Sequence, residues 1–298
     1  MKSNGRLRSP IGYFGGKGRM VAKLLPLLPP HKRYCEPFGG GASLLFAKEP
    51  AEVETYNDID SGLVNLFRVL RDEVLFPKFL AKVKWMPYSR EEFYHCRETW
   101  EATEDPVERA VRWFTIARQN MGGMLAGSWG FAVTDTGRGM ASTCSRWLST
   151  QDQLSLIHQR LMRVQVEHDD FRNILATYDT PDTLFYCDPP YVHETRSETR
   201  YTHELTLQDH QDLVEVLLGL KGMAILSGYK HEIYQPLEEN GWEKREFKTA
   251  CHAAGKTRAS GLQGKGTALC LQPRTEVVWR SPNCLVGQMR FAEVVAGV

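Results

Sequence analysis

One stretch of the sequence, residues 183–191, constrains the fold more than any other. It reads Thr-Leu-Phe-Tyr-Cys-Asp-Pro-Pro-Tyr, so a short apolar run stops at a carboxylate, two prolines and an aromatic ring. Such a run is typical of a buried strand, and open α/β sheets bind their ligands outside the carboxyl ends of their strands. We therefore expect an α/β fold with a ligand site that begins at Asp188.

The segment from Asp188 to Tyr191 combines hydrogen-bond acceptors with a flat ring. Proline has no backbone N–H, so the local backbone presents only carbonyl oxygens beside the carboxylate of Asp188. These acceptors can take both hydrogens of one amino group while Tyr191 stacks on a planar ring. The segment therefore favours a nucleobase with an exocyclic amine. The alternative is a stiff exit from the strand, because Asp and Pro are both common in turns.

Composition limits the partners and the compartment. With a net charge of only +1 over 298 residues, the protein as a whole does not attract nucleic acid or a membrane surface electrostatically. Any polyanion must therefore be bound by a local basic face. Seven single cysteines without a C-x-x-C pair argue against a disulfide framework and a structural zinc site. The apolar stretch 20–28 is short and contains Lys23 and Pro26, so we expect a soluble, cytoplasmic protein without a membrane span.

Two glycine-rich segments precede short helices, and neither matches a nucleotide-binding fingerprint. Around Lys17, a P-loop would need glycine where Ile11 stands and Ser or Thr where Gly18 stands. In the second segment the dinucleotide fingerprint fails, because Leu44 occupies its third glycine position. Glycines still let the backbone approach a ligand closely. Glu36, just before them, would repel a pyrophosphate and attract an ammonium group, so a zwitterionic or cationic ligand is favoured.

A second predicted strand, Val53 to Tyr56, ends just before Asp58. An acidic residue at this tip is where doubly wound α/β folds bind ribose hydroxyls. The alternative role of this turn is to cap the following helix, for which Asp60 or Ser61 is well suited. Both roles can hold at once.

Residues 63–147 interrupt the α/β alternation. The predicted amphipathic helices cover about 62–72, 89–100 and 106–119. Residues 120–145 are then rich in glycine, with aromatic and basic side chains interleaved, which favours a nucleic-acid contact surface; a solvated loop is the alternative. The candidate contacts, including two from a basic loop at 251–266, are Arg118, Asn120, Arg138, Arg146, Lys256 and Arg258.

The alternation of helices and strands resumes after this insert. The predicted elements are a helix at 151–162, a strand at 163–167, a helix opened by Asp169-Asp170-Phe171, the strand before Asp188, a helix at 207–220 and a strand at 222–227. Strand-like runs follow from Trp242 onward.

The motifs follow one another in a specific order. They are Gly-Gly-Lys at 15–17, Glu-Pro-Phe-Gly-Gly-Gly at 36–41, Asn-Asp-Ile-Asp at 57–60 and, after the insert, Asp-Pro-Pro-Tyr at 188–191. In this order the chain resembles the Dam family of S-adenosylmethionine-dependent DNA adenine methyltransferases. The resemblance covers roughly 11–62 and 150–229 and extends more loosely to Glu276-Val277-Val278-Trp279.

The resemblance implies a fold and a division into domains. The fold would be α/β, with a Rossmann-like methyltransferase sheet that carries helices on both faces. A mainly helical target-recognition domain, residues 63–147, would be inserted into it. The catalytic domain would then be discontinuous and comprise 1–62 and 148–298.

Position by position, the resemblance also implies two sets of site residues. The cofactor-binding residues would be Tyr13, Lys17, Glu36, Pro37, Phe38, Gly39, Gly40, Gly41, Asp58, Asp170, Phe171 and Asp188. The catalytic residues would be Asp188, Pro189, Pro190 and Tyr191. Tyr13 and Phe14 stand where some members carry Trp-Ala.

The implied reaction transfers the methyl group of S-adenosylmethionine to the 6-amino group of a flipped-out adenine in duplex DNA. S-adenosylhomocysteine would be the product, and no metal would be needed. The partner would be double-stranded DNA and the protein a monomer, located in a bacterial cytoplasm or nucleoid or encoded by a phage. The alternatives are an enzyme of the same fold that acts on cytosine, RNA or a protein glutamine, and a non-catalytic DNA-binding relative. The acidic Asp188 favours adenine, because the other enzymes tend to carry Asn or Ser there.

Overall fold

In the part of the chain that the computed structural model describes, seven strands form one sheet. The described residues are 7–12, 16–121, 125, 127–133, 135, 138–192, 203–251 and 272–285. The strands are β1 (Arg33–Glu36), β2 (Val53–Asn57), β3 (Val164–Glu167), β4 (Thr183–Cys187), β5 (Met223–Gly228), β6 (Glu243–Cys251) and β7 (Gln272–Arg280). Their spatial order is β3-β2-β1-β4-β5-β7-β6.

The chain reverses its direction of travel across the sheet between β1 and β4. The strands β1 to β5 pair in parallel, whereas β7 is antiparallel to both β5 and β6. From β1 the chain moves outward to β2 and β3, then returns to place β4 on the other side of β1. Such a switch point opens a crevice at the carboxyl ends of the two strands. Asp188 is the first residue beyond β4, so it lies at this crevice.

Helices cover the sheet on both faces. They are α1 (Val21–Leu24), α2 (Ser43–Ala47), α3 (Ser61–Arg71), α4 (Leu75–Trp85), α5 (Arg90–Thr99), α6 (Pro106–Gln119), α7 (Ser142–Gln151), α8 (Leu154–Leu161), α9 (Phe171–Tyr178), α10 (Leu207–Gly219) and α11 (Gln235–Glu239). None of the helices in the described ranges is long and apolar enough to cross a lipid bilayer.

Side chains of the central strands alternate between two hydrophobic cores, as the pleat of a strand requires. In β4, Leu184 and Tyr186 belong to one core, whereas Phe185 and Cys187 belong to the other. The first core packs α3, α4, α6 and α8 against one face, and the second packs α9, α10 and α11 against the opposite face. The predicted α/β sheet with helices on both faces is confirmed.

The helices α3 to α8 occupy the chain between β2 and β3. Buried side chains of α3, α4, α6, α7 and α8 share the first core with the sheet, whereas Phe93 and Cys96 of α5 pack with Ile116 of α6 in a separate small cluster. Helices α3, α5 and α6 lie close to their predicted bounds. Sequence reasoning missed α4. The carboxylate of Asp72 accepts the N–H groups of Val74 and Leu75 at 2.8 Å each in the turn just before this helix. The helix predicted at 151–162 corresponds to α8, whereas α7, which precedes it, was not predicted.

Candidate active site

A cavity of about 470 Å³ opens at the carboxyl ends of β1, β2 and β4. Its wall is formed by residues 36–44 at the end of β1 and beyond it, by Asn57 and Asp58 at the end of β2, and by 169–172 at the start of α9. Lys17 and Asp188 also line it. Residues far apart in the sequence therefore meet at the crevice that the sheet topology predicts.

Asp188 and Lys17 form a buried ion pair in this cavity. Lys17 lies in a 3₁₀ turn at 17–19, and its Nζ atom is 2.7 Å from Oδ1 of Asp188. Burial raises the pKa of Asp188 above its ordinary value of 3.8, and the neighbouring Lys17 ammonium acts in the opposite direction. Lys17 thus stabilises the ionised form of Asp188, which is largely buried away from water.

Tyr191 is buried and held from three sides. Its hydroxyl donates a hydrogen bond of 2.6 Å to Oε2 of Glu276 and lies 3.4 Å from Oδ1 of Asp188. The Nζ atom of Lys17 is 4.6 Å from the centre of the ring, and Tyr229 approaches the ring edge-on at 4.5 Å. Between Asp188 and Tyr191, Pro190 lines the cavity. Sequence reasoning did not single out Glu276 as a site residue.

The glycine loop after β1 lies directly against the end of β2. The Gly39 N–H donates to the carbonyl of Asn57 at 2.8 Å, and the Tyr56 hydroxyl donates to the carbonyl of Gly40 at 2.9 Å. Gly40 has a φ of 47°, in the left-handed region that favours glycine. A Cβ atom on Gly39 would lie 2.1 Å from the ring of Tyr56. The close approach therefore requires glycine at position 39.

Gly39→Ala is expected to displace this loop, because the added methyl group overlaps the Tyr56 ring. Overpacking of this kind typically costs about 1–3 kcal/mol, so we expect a lower midpoint of urea unfolding and weaker cofactor binding. The matched control is Gly219→Ala, where the new Cβ meets no atom within 4 Å. Equal stability and equal binding for the two variants would contradict the packing argument.

Asp58 anchors the glycine loop from β2. Its Oδ2 accepts the Gly40 N–H at 2.8 Å, and its Oδ1 accepts the Asp60 N–H at 2.9 Å. Burial raises the pKa of Asp58 to about 6. Asp60 caps α3 by accepting the N–H groups of Gly62 and Leu63, so capping falls to Asp60 and leaves Asp58 facing the cavity.

Asn57 is a structural residue of the site that sequence reasoning missed. Its side-chain amide donates to the carbonyls of Pro37 at 2.9 Å and Asp169 at 3.0 Å, and its Oδ1 accepts the Asp169 N–H at 2.9 Å. One side chain therefore joins the loop after β1 to the loop before α9. The signal in the sequence was its position as the first residue of the Asn-Asp-Ile-Asp motif at the end of β2.

Glu36 adds another buried carboxyl group to the cavity, beside those of Asp58 and Asp188. Its Oε1 accepts hydrogen bonds from the Tyr34 hydroxyl at 2.7 Å and from the Leu45 N–H at 2.9 Å, and only 2% of the residue is exposed. Burial raises the pKa of Glu36 to about 8. A cationic group bound beside it would favour the ionised form.

Glu36→Gln is expected to change how stability depends on pH. The pKa of Glu36 is about 8 in the folded protein and 4.5 ordinarily, so folding favours the protonated form. The contribution of Glu36 to stability is fully present below its ordinary pKa of 4.5. It is lost as the pH rises through its pKa in the folded protein, about 8. The variant, which cannot ionise, should therefore gain stability relative to the wild type between pH 5 and pH 8. Urea unfolding at both pH values measures this, with the exposed Glu49→Gln as the control; a constant difference between wild type and E36Q would contradict it.

Phe171 and Asp170 lie together at the start of α9. The rings of Phe38 and Phe171 are 5.1 Å apart, and both residues line the cavity. Asp170 caps α9 and pairs with Arg172, whose guanidinium lies 4.4 Å over the Phe171 ring. Arg172 also pairs with Asp209 on α10. The predicted cofactor residues of this segment are thus held rigidly between α9 and α10.

Most of the predicted DNA-contact residues in the described ranges surround α7. Arg146 is exposed on α7, and Arg138 is exposed and donates to the hydroxyls of Ser145 at 3.3 Å and Ser149 at 3.0 Å. Arg118 on α6 points inward: its guanidinium donates to the Thr150 hydroxyl, and burial with the nearby Arg146 lowers its pKa to about 10.

Asn120 follows α6, and its side-chain amide donates to the Ile116 carbonyl at 2.9 Å. The remaining site predictions, Tyr13, Lys256 and Arg258, lie outside the described residues.

Methylases from phage and bacteria are similar to this chain in sequence or in fold. The DNA N-6-adenine-methyltransferase of Escherichia phage P1 is 25% identical over 219 residues, which cover 70% of this chain and 28% of the phage protein. The DNA adenine methylase of Escherichia coli K12 is 24% identical over 229 residues, which cover 74% of this chain and 78% of that protein. A solved rRNA methylase from Streptococcus thermophilus aligns over 88% of this chain and 94% of its own, with a TM-score of 0.36 and 8% identity.

The sequence profile of one family matches residues 13–246. This span contains the glycine loop, Asp58, the helices between β2 and β3 and the Asp-Pro-Pro-Tyr segment. It covers far more than half of the 298 residues. The chain therefore belongs to the D12 class of N6 adenine-specific DNA methyltransferases.

Proposed function

We propose that the protein transfers the methyl group of S-adenosylmethionine to the 6-amino group of an adenine in double-stranded DNA. The observation that carries this proposal is the convergence of Glu36, the glycine loop, Asp58 and Asp188 in one cavity at the switch point of the sheet. Membership of the D12 class supports the adenine amine as the acceptor.

The residues of the cavity fit such a cofactor. A volume of about 470 Å³ lies within the usual range of small-molecule sites, ~300–1,000 Å³. Glu36 would bind the ammonium group, Asp58 would accept hydrogen bonds from the ribose, and Phe38 with Phe171 would pack on the adenine. The bound cofactor supplies an electrophilic methyl group on a sulfonium.

Asp188 would bind the target amine. Its Oδ1 atom already accepts from Lys17 at 2.7 Å, so Oδ2 is the oxygen that would accept one amine hydrogen. The carbonyl of Pro189 would accept the other. Together they would hold the nitrogen with its lone pair toward the methyl group, and preorganised acceptors of this kind are often worth ~3–4 kcal/mol each.

The target base must leave the duplex to reach this cavity, because its amine is otherwise stacked and paired. Tyr191, whose ring lies beside Asp188, would stack on the extruded base. We further propose that residues 63–147 recognise the target, with the protein acting as a monomer. Because the net charge is only +1, arginines around α7 would supply the local positive charge.

A direct assay tests this function. The purified protein is incubated with S-adenosylmethionine and duplex DNA, single-stranded DNA or RNA, and the nucleosides are analysed by mass spectrometry. We expect N6-methyladenine from duplex DNA. Methylcytosine, or methylation of RNA alone, would overturn the proposal. Expression in cells without adenine methylation, followed by single-molecule sequencing, would then identify the recognised sequence.

Arg138→Ala and Arg146→Ala are expected to weaken DNA binding, since both arginines are exposed beside α7. A phosphate contact would reduce the slope of log affinity against log salt by ~0.9 for each arginine, whereas a base contact would relax the methylated sequence at one position. Fluorescence anisotropy at several salt concentrations measures the slope. The control is Lys221→Ala, which is exposed at the amino end of β5, opposite the cavity. Slopes and sequence preference equal to those of the control would place recognition elsewhere.

A further inference from the structure

We propose that Arg172 is a positioning residue for the base of the cofactor, which acts by fixing the ring of Phe171 at the wall of the cavity. This inference rests on the proposed function, in which Phe38 and Phe171 pack on the adenine of S-adenosylmethionine. It adds a residue of α9 that is absent from the predicted site residues.

One side of the Phe171 ring is covered by the guanidinium group of Arg172. The guanidinium carbon lies 4.4 Å from the centre of the ring. The centre of the Phe38 ring lies 5.1 Å from that of Phe171, with an angle of 35° between the two planes, and both residues line the cavity. Because a planar guanidinium stacks on an aromatic face, Arg172 can hold this ring while the cavity side of the ring stays available to a ligand.

Three carboxylates hold the Arg172 guanidinium in place. Its Nη1 atom donates to Oδ1 and Oδ2 of Asp170 at 3.2 and 3.1 Å. Its Nη2 atom donates to Oδ1 of Asp209 at 2.5 Å and to Oδ2 of Asp212 at 2.6 Å, and its Nε atom donates to the same Asp212 oxygen at 3.0 Å. Every nitrogen of the group therefore has a charged acceptor, and turning the group away from the ring would break several of these bonds at once.

This arrangement differs from an isolated surface ion pair, which contributes little to stability. The Arg172 side chain is only 33% exposed. Asp209 is itself fixed, because its Oδ2 atom accepts the N–H and the hydroxyl of Thr206 at 2.9 and 2.6 Å in the capping box of α10. Asp170 caps α9 by accepting the Arg172 N–H at 2.8 Å. The guanidinium is thus joined to the amino-terminal ends of two helices, so the ring that it covers is held between two fixed backbones.

A fixed ring should bind a planar base more tightly than a mobile one. Stacking depends on the relative orientation of the two rings, and a ring that is ordered before binding loses less conformational freedom when the ligand arrives. Without Arg172, the Phe171 ring would gain freedom on the side that the guanidinium now covers. The affinity for the base should then fall. The affinity for the amino-acid end of the cofactor should not, because Glu36 and the glycine loop would bind that end.

Calorimetry with two ligands tests this role. Arg172→Gln should bind S-adenosylhomocysteine ~3- to 10-fold more weakly than the wild type, within the range of coupling between contacting residues. S-ribosylhomocysteine, which lacks the adenine base, should bind both proteins equally within about 2-fold. Arg172→Lys should resemble R172Q, because an ammonium group is not planar and cannot replace the fork of hydrogen bonds. The control is Arg245→Gln, an exposed arginine on the edge strand β6 that also pairs with a carboxylate, that of Glu243.

Equal losses for the two ligands would indicate general damage to the cavity and would overturn the proposal, as would an R172K variant that binds like the wild type. Asp212→Asn is a second variant, which leaves Arg172, Phe171 and the Asp170 cap in place. It removes the charge of one acceptor of the guanidinium, so it should weaken S-adenosylhomocysteine binding in the same ligand-selective way, but less. If R172Q does not fold, a D212N variant that binds both ligands like the wild type overturns the proposal in its place.

A double variant shows whether Arg172 acts through Phe171. In the Phe171→Leu background, the added R172Q change should weaken S-adenosylhomocysteine binding by less than about 2-fold, because the ring that Arg172 positions is absent. The full loss in that background would mean that Arg172 contacts the cofactor directly, which contradicts a positioning role. Wild-type protein that binds no S-adenosylhomocysteine would overturn the proposed function together with this inference. Normal binding by the wild type with no effect of R172Q would overturn the inference alone.

Discussion

Asp188→Ala is expected to lower the rate of methyl transfer by about 100-fold or more, because it removes an acceptor worth ~3 kcal/mol at the reacting amine. The loss should appear in turnover. DNA affinity should change little, because the carboxylate is proposed to act only on the extruded base. Cofactor affinity is expected to fall modestly, since Asp188 also borders the cavity that would hold the cofactor. Single-turnover kinetics with saturating DNA measure the effect.

Two further variants sharpen this experiment. Asp188→Asn keeps one carbonyl oxygen and loses the charge that pairs with Lys17, so its rate should lie between those of D188A and the wild type. Asp182→Ala is the control, because Asp182 is exposed at the amino end of β4 and pairs only loosely with Arg33 at 3.7 Å. If D188A kept more than about a tenth of wild-type turnover, Asp188 would not take part in the methyl-transfer step.

Asp58→Ala is expected to weaken cofactor binding by ~10- to 100-fold, the equivalent of one or two charge-assisted hydrogen bonds. Two causes act together. The variant loses the predicted acceptor for the ribose, and it also releases the Gly40 N–H that Oδ2 now accepts at 2.8 Å. Isothermal calorimetry with S-adenosylhomocysteine measures the loss.

An analogue of S-adenosylhomocysteine that lacks the ribose hydroxyls separates these two causes. If Asp58 binds the ribose, the analogue should bind the wild type more weakly and bind D58A about as well as the parent compound. If Asp58 only orders the glycine loop, both compounds should lose the same factor in D58A. Cofactor affinity that is unchanged in D58A would contradict both roles.

The parts of the fold that depend on local pattern were predictable from the sequence. The apolar run of β4 and the turn after it located the switch point, since a buried parallel strand is apolar on both faces. Helix α4 was missed because Pro77 lies within its first turn and its N-cap position is held by Val74, which offers no capping side chain. Its helical conformation depends on Phe76, Phe79 and Val83 packing into the core, which local preferences do not describe.

The site was predictable where residues follow a strand, and less so where they arrive from elsewhere. Asp58 and Asp188 come directly after β2 and β4, so topology alone brings them together. Asn57 and Glu276 act on loops that are distant in the sequence, and only their three-dimensional contacts identify them. Arg118 was predicted to contact DNA because it is a basic residue next to the glycine-rich segment, yet its guanidinium donates a hydrogen bond to the Thr150 hydroxyl.

The place of β7 has a consequence for the order in which the site is completed during synthesis. β7 lies between β5 and β6 and comes after both in the sequence, so it is the last strand to be made and the one that joins β6 to the rest of the described sheet. Until it enters, Tyr191 and Lys17 lack the carboxylate of Glu276. A nascent chain that ends before β7 would therefore lack this contact beside Asp188, the residue proposed to bind the target amine.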